Sequence, residues 1–308
     1  MKKPLYIISL FFVMLTASKN AAAQYYFFDG TYFDNPILYE AGISVNAMNC
    51  LTDIGGKHGI GTKFLKDLNL GYTHLSGGVF ASVTYRNEVG LRLEATFGKI
   101  SAHDVILAGL TDEAKNRYNR NQDFQSRISE VVAIFEVHPL FIFIDWPAKD
   151  QPPPRISPYL LGGIGYFSFN PQTKLGSRIV DLRALHTEGE GFPEYPTRPE
   201  YSLNQINIPM GGGLKYELNP LINLRLEVVY RKTFTDYLDD LSTTYIDPAL
   251  FDKYLTPQKA LDAHLLYDKQ LQSVAGINGK RGTSTNNDGY LSFNLKVSVV
   301  IGRERMKK

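Results

Sequence analysis

Glu88-Val89-Gly90-Leu91-Arg92-Leu93-Glu94-Ala95-Thr96-Phe97-Gly98 is the stretch on which the fold turns. Side chains of an extended strand point alternately to its two faces. Val89, Leu91, Leu93, Ala95 and Phe97 therefore share one face, and Glu88, Gly90, Arg92, Glu94, Thr96 and Gly98 share the other. A single strand of this kind fits any half-exposed sheet, so its recurrence decides the matter.

Working outward, the pattern returns again and again. Ile222, Leu224, Leu226, Val228 and Tyr230 oppose Asn223, Arg225, Glu227 and Val229, with Arg231 continuing the polar face. Leu291, Phe293, Leu295, Val297, Val299 and Ile301 oppose Tyr290, Ser292, Asn294, Lys296 and Ser298. Ile206 to Tyr216 sets Ile206, Ile208, Met210, Leu214 and Tyr216 against Asn207, Pro209, Gly211, Gly213 and Lys215, and Tyr39 to Met48 alternates in the same way. Val79 to Tyr85, Ser126 to Val137 and Ser157 to Phe169 are shorter, mixed or Gly-rich versions. The expectation is an all-β chain of about eight strands of about ten residues, the length a tilted strand needs to cross a bilayer.

The connections alternate in length. They run long from Asn49 to Ser76, tight at Arg86-Asn87, long from Ser101 to Asp123 and moderate from His138 to Ile156. They continue long from Asn170 to Ser202, tight at Asn219-Pro220 and very long from Thr235 to Asp288. Short periplasmic turns and long outer loops give a transmembrane antiparallel β-barrel this signature. A soluble β-sandwich also has many alternating strands, but it does not explain long loops on one side only.

Lys2 and Lys3, the apolar run Leu5 to Leu15 and Ala21-Ala22-Ala23 form a secretory signal pattern, so residues 1–23 are expected to be removed and 24–308 to form one barrel domain. Export and a barrel together imply the outer membrane, with both chain termini expected on the periplasmic side, where the tight turns lie. The 33 basic and 31 acidic residues leave a formal charge of +2, too balanced for a nucleic-acid footprint. The single Cys50 has no partner for an internal disulfide.

If the polar faces line the lumen, Glu88, Arg92, Glu94, Arg225, Glu227, Arg231 and Lys296 meet there with both signs in comparable number. An interior of about eight strands is filled by side chains, so these charges are expected to pair and close it. Chemistry-bearing motifs are scarce. Gly56 to Lys63 has the ingredients of a phosphate loop in the wrong order, and Gly162-Gly163-Ile164-Gly165 opens no helix. The six histidines lack metal spacing, and no cofactor is implied. Asp236, Asp239 and Asp240 have the oxygen chemistry of calcium ligands, but Thr235 and Asp236 also fit the cap of a loop helix, which is the expectation here. Glu188 and Glu190 read as solvated.

The run Tyr230 to Tyr245, containing Phe234-Thr235-Asp236-Tyr237-Leu238-Asp239-Asp240-Leu241, resembles the PorG-like family of Bacteroidota outer-membrane barrels. Ser157 to Tyr166, Thr187-Glu188-Gly189 and Phe64 to Leu70 add to the likeness, which spans nearly all of the exported chain. The resemblance implies a non-enzymatic barrel that accompanies the type IX secretion machinery and contacts its periplasmic ring of a lipoprotein and a partner subunit, while sitting in outer-membrane lipid. The periplasmic contact would then use Arg86, Asn87, Trp146, Arg155 and Arg303. The alternative is a stand-alone small barrel for adhesion, envelope stability or small-solute passage. A lipid hydrolase in the barrel wall would need a Ser-His pair, which sequence spacing does not exclude.

Overall fold

The computed structural model describes residues 37–56, 70–111, 113–143, 154–272, 276–301 and 303. The stretch expected to be a signal segment, Trp146, nearly all of the Gly56 to Lys63 loop and the basic tail past Arg303 lie outside these residues.

Eight strands close on themselves. They are β1 (Ile37–Leu51), β2 (His74–Tyr85), β3 (Val89–His103), β4 (Asp123–Val137), β5 (Ile156–Ser168), β8 (Asn204–Asn219), β9 (Ile222–Thr233) and β10 (Gly289–Ile301), with a hairpin of β6 (Pro171–Leu175) and β7 (Arg178–Asp181) between β5 and β8. The sheet order is β3-β2-β1-β10-β9-β8-β5-β4-β6-β7, and the further β3–β4 pairing shuts the ring. Every pairing is antiparallel. The seam joins β1 to β10, from Tyr39 opposite Ile301 to Leu51 opposite Gly289.

The outward and inward faces are those the alternation gives. Leu91, Leu93 and Phe97 on β3, Ile43 and Val45 on β1, Leu226 on β9 and Leu295 on β10 are all exposed, whereas Arg92, Glu94, Arg225, Glu227 and Lys296 are buried. Exposed apolar side chains around the whole wall are costly in water but favourable against lipid, so this belt defines a membrane-spanning barrel. Among the described residues no helix is long and apolar enough to cross a membrane.

Tight turns form where the backbone tolerates them. Arg86 and Asn87 both have positive φ, 52° and 59°, the geometry of the two-residue hairpin turn that matches strand twist. The β8–β9 turn is held by the Asn219 side chain, which accepts from the Leu221 amide at 2.9 Å. The β4–β5 connection carries a short helix, Pro139–Phe143.

Two features differ from the sequence expectation. The eight wall strands run 12 to 16 residues rather than about ten. Their ends on the long-loop side, together with the long loops, build a cap with its own apolar core: Met48, Ile100, Phe124, Ile128, Phe167, Phe169, Leu238, Leu241, Tyr245, Phe251, Leu266, Tyr267 and Tyr290 are all buried. Phe251, Leu266 and Tyr267 come from the very long connection, on or beside the helices Ala249–Tyr254 and Pro257–Leu266. Continuous aromatic stacking ties the loops together, from Phe169 to Tyr201 at 6.2 Å and from Tyr201 to Tyr237 at 4.6 Å between ring centroids.

Candidate functional site

The lumen is the first place to look for function, because every wall strand sends polar side chains into it. Among the described residues five carboxylates, Glu40, Glu94, Glu130, Glu136 and Glu227, meet five cations, Arg92, Lys215, Arg225, Arg231 and Lys296. The equality matters, since a desolvated charge without a partner is severely penalised. Arg92 reaches Glu136 at 2.6 Å and Glu227 at 2.5 Å; Arg225 bridges Glu136 and Glu40, each at 2.9 Å. Lys215 holds Glu40 at 2.5 Å, and Lys296 pairs with Glu94 and, at 3.0 Å, with Glu227. Nearer the cap Arg231 pairs with Glu130 at 2.8 Å, and Asn207 and Tyr290 donate to the same carboxylate.

Phe80 lies among these cations, with Lys296 5.2 Å, Arg225 5.6 Å and Arg92 5.8 Å from its ring centre. Its place depends on Gly42, where a Cβ would sit 2.7 Å from the ring and 2.3 Å from the Val297 carbonyl oxygen.

Glu88 departs from the expected lumen set. It stands in the β2–β3 turn, partly exposed, with Glu88 Oε1 3.2 Å from Arg86 Nε, because a residue at the turn is already past the barrel mouth. Conversely, Glu40, Glu130, Glu136 and Lys215 belong to the network although the sequence did not single them out. Glu40 and Lys215 follow the alternation. Glu130 and Glu136 were obscured because the same inward face of β4 carries Val132 and Ile134, which pack with Tyr159, Leu161 and Val229 in a small apolar cluster inside the barrel.

At the short-turn end a small cleft is lined by Asn87, His138, Phe141, Pro154, Arg155, Ser157, Lys215 and Glu217. His138 Nδ1 and Ser157 Oγ are 2.7 Å apart, and His138 Nε2 faces Glu136 Oε2 at 3.6 Å. The order Ser-His-Glu is that of an activated serine. Here, however, Ser157 is buried and Glu136 is engaged by Arg92 and Arg225, so the trio packs the barrel floor. A second pair, His74 Nε2 and Ser101 Oγ at 2.6 Å, lies under the cap beside the buried Cys50, whose thiol donates to the Ser101 carbonyl oxygen.

The residues expected to contact a periplasmic partner are not equally available. Arg86 is exposed, while Asn87 and Arg155 are half-buried at the cleft. Arg303 is turned inward, bonded to Glu217 at 2.5 Å and to the Pro220 carbonyl oxygen, and ties the end of β10 to the β8–β9 turn.

The cap corrects two further expectations. No helix follows Thr235; the run Phe234 to Tyr245 is irregular backbone, and Asp239 instead accepts from the amides of Leu241 and Ile54 at 3.0 Å. Irregular loops threaded through an apolar core must satisfy their buried amides with side chains. For the same reason Glu188 and Glu190 are buried rather than solvated. Glu188 accepts from the Ser242 and Thr243 amides and from Arg281 at 3.1 Å. Asp240 accepts the hydroxyls of Thr187 and Tyr201, each at 2.6 Å. Burial pushes the Asp240 carboxyl up to about 6, Asp239 to about 7 and Asp236 to about 9, with neighbouring carboxylates adding to the rise. Among the described residues no three acidic, His or Cys groups are arranged to hold a metal ion.

A closed eight-stranded wall, an outward apolar belt and a lumen filled by paired charges define a plugged transmembrane β-barrel. By sequence the chain belongs to the family described as domain of unknown function DUF6089, whose model matches residues 26–247. No curated protein matches it. Among solved structures it is similar to a major outer membrane protein from Thermus thermophilus, at 12% identity over 85% of this chain and 99% of that one, with a TM-score of 0.37. It is also similar to Ail, the attachment invasion locus protein of Yersinia pestis, in complex with the heparin analogue sucrose octasulfate, at 7% identity, 86% and 97% coverage and a TM-score of 0.34. Neisserial surface protein A matches at 10% identity, with the same coverages and TM-score as Ail. The fold assignment stands on the closed sheet itself, and no residue role is carried over from these structures.

Proposed function

We propose that the chain is a non-enzymatic outer-membrane barrel that serves as a structural and interaction component rather than as a pore. Its long-loop cap faces outward, and its tight turns face the periplasm. The observation that carries this reading is the lumen, where Arg92 and Arg225 tie Glu40, Glu136 and Glu227 together across the barrel and fill its middle with paired charge. Work then falls to the two ends. The resemblance to PorG-like barrels names the partner: the periplasmic ring of the type IX machinery, a lipoprotein with its companion subunit, met at the short-turn end around Arg86. The part of that run from Thr235 to Ser242 is largely buried in the cap, so it supports kinship of build and not a contact surface.

The test is recovery of the full-length chain from membranes in mild detergent, alongside conductance in planar bilayers. Recovery of ring subunits with wild type, lost with a folded Arg86→Glu variant, supports the secretion reading. Loss confined to a cap-surface variant at the exposed Leu261 and Leu265 would move the partner to the outer side and overturn the periplasmic contact. Steady conductance by the wild-type barrel would overturn the plug.

A further inference from the structure

Lys99 on β3 and Arg127 on β4 are directly opposite one another in the ladder. Both belong to the outward face. Phe97 lies below Lys99, and Ser129 and Val131 lie below Arg127. Like charges facing each other across a sheet repel, and sheets ordinarily place a carboxylate in one of the two positions. Here neither cation makes an ion pair among the described residues; Lys99 Nζ donates to Gln125 Oε1 at 2.6 Å, and Arg127 is exposed.

Their height is informative. Lys99 is ten residues above Val89 and Arg127 ten above Val137, the two ends of the β3–β4 ladder at the tight-turn side. With about 3.4 Å per residue and a tilt near 40°, ten residues climb about 26 Å, and the apolar band of such barrels is about 25 Å tall. Between these ends the outward residues Leu91, Leu93, Phe97, Val131 and Phe135 are exposed and apolar. Both cations thus emerge where hydrocarbon gives way to headgroups, on the cap side.

We propose that Lys99 and Arg127 together form a seat for the phosphate of an anionic lipid in the cap-side leaflet, the guanidinium giving a fork and the ammonium a point charge. The lipid anion supplies the negative charge that neither of these two opposed positions provides. The assignment to the outer leaflet rests on the outward orientation of the cap; the seat itself does not.

Full-length barrel is reconstituted in phosphatidylcholine vesicles with and without phosphorylated lipid A, and its unfolding midpoint is measured. The wild type is expected to gain stability from lipid A, with the gain shrinking as salt rises. Lys99→Gln/Arg127→Gln is expected to lose that gain while being at least as stable as wild type in pure phosphatidylcholine. Lys232→Gln removes a lone outward cation on β9, ten residues above Ile222 and opposite Gly289, and is expected to keep the gain. No lipid-dependent gain in wild type, or an undiminished gain in the double variant, overturns the seat. Loss of the gain in Lys232→Gln as well shows general attraction, and an equal gain from inorganic phosphate in detergent shows an anion site without lipid; either overturns the proposal. Labelling of the cap on intact cells tests orientation separately.

Discussion

Replacing Arg225 with Met probes the lumen most sharply, because this side chain touches both halves of the network. It is fully buried and donates to Glu136 at 3.0 and 2.9 Å, to Glu40 at 2.9 Å and weakly to Ser82 at 3.4 Å. Met fills similar space without charge, so little of the effect comes from a cavity. Breaking a buried ion pair by removing one partner costs about 3 to 5 kcal/mol, since the other charge stays desolvated. Neither carboxylate becomes wholly unpaired: Glu136 keeps Arg92 at 2.6 Å, and Glu40 keeps Lys215 at 2.5 Å and Ser298 at 2.8 Å. The expected loss is therefore at the lower end, about 3 kcal/mol. Arg225→Met with Glu136→Gln restores equal numbers of each sign and is expected to regain about 2 kcal/mol of it, within the range of coupling energies between contacting residues. Equilibrium unfolding of the refolded barrel in detergent, followed by the heat-dependent shift on a gel and by fluorescence, reads both variants. A single variant within about 1 kcal/mol of wild type, or a double variant less stable than the single one, would refute charge pairing as what holds the lumen.

The cap should respond to pH in a definite direction. Asp236, Asp239 and Asp240 have folded values raised to about 9, 7 and 6, so the cap gains stability when these groups hold their protons, and that contribution fades as pH rises from about 4 through 9. Limited proteolysis is expected to clip the cap faster at pH 9 than at pH 6 while the wall stays intact; faster clipping at the lower pH would contradict this. On the belt, Leu93→Arg places a cation near the bilayer midplane at a cost of about 2 to 4 kcal/mol, visible as reduced assembly into vesicles, whereas the inward, small-for-small Thr96→Ser should assemble normally. For topology, a tag in the Pro193 to Pro199 stretch of the cap should be labelled on intact cells and a tag at Asn87 should not; the reverse pattern would invert the barrel.

Much of the wall was legible because a membrane barrel enforces period two on both faces at once, and the parity of Glu88 to Gly98 alone places Arg92 and Glu94 inside. What parity does not show is where a strand stops mattering to the membrane. Lys99 and Arg127 continue the outward face past the apolar band, so the wall runs longer than the bilayer requires. The cap was illegible for a different reason. Its core is assembled from residues far apart in the chain, such as Phe169, Tyr201 and Tyr237, with no local period. Glu188 looked solvated because polar loop sequences ordinarily are; its burial depends on amides of Ser242 and Thr243 more than fifty residues away. Arg303 looked like a free basic tail residue because its partner Glu217 lies on another hairpin.

The seam between β1 and β10 has a consequence for how the molecule is made. Glu40, on the first wall strand, accepts hydrogen bonds from Lys215 on β8, Arg225 on β9 and Ser298 on β10. Until the last strand docks, that carboxylate and its cations belong to an open sheet whose edges face the wrong solvent. Zipping the two edges together therefore does two jobs in one step, sealing the backbone rim and neutralising the interior. A slipped register would set Glu40 against other neighbours, so the sealed ring of this register is the form in which the backbone rim is hydrogen-bonded and the interior charge is balanced.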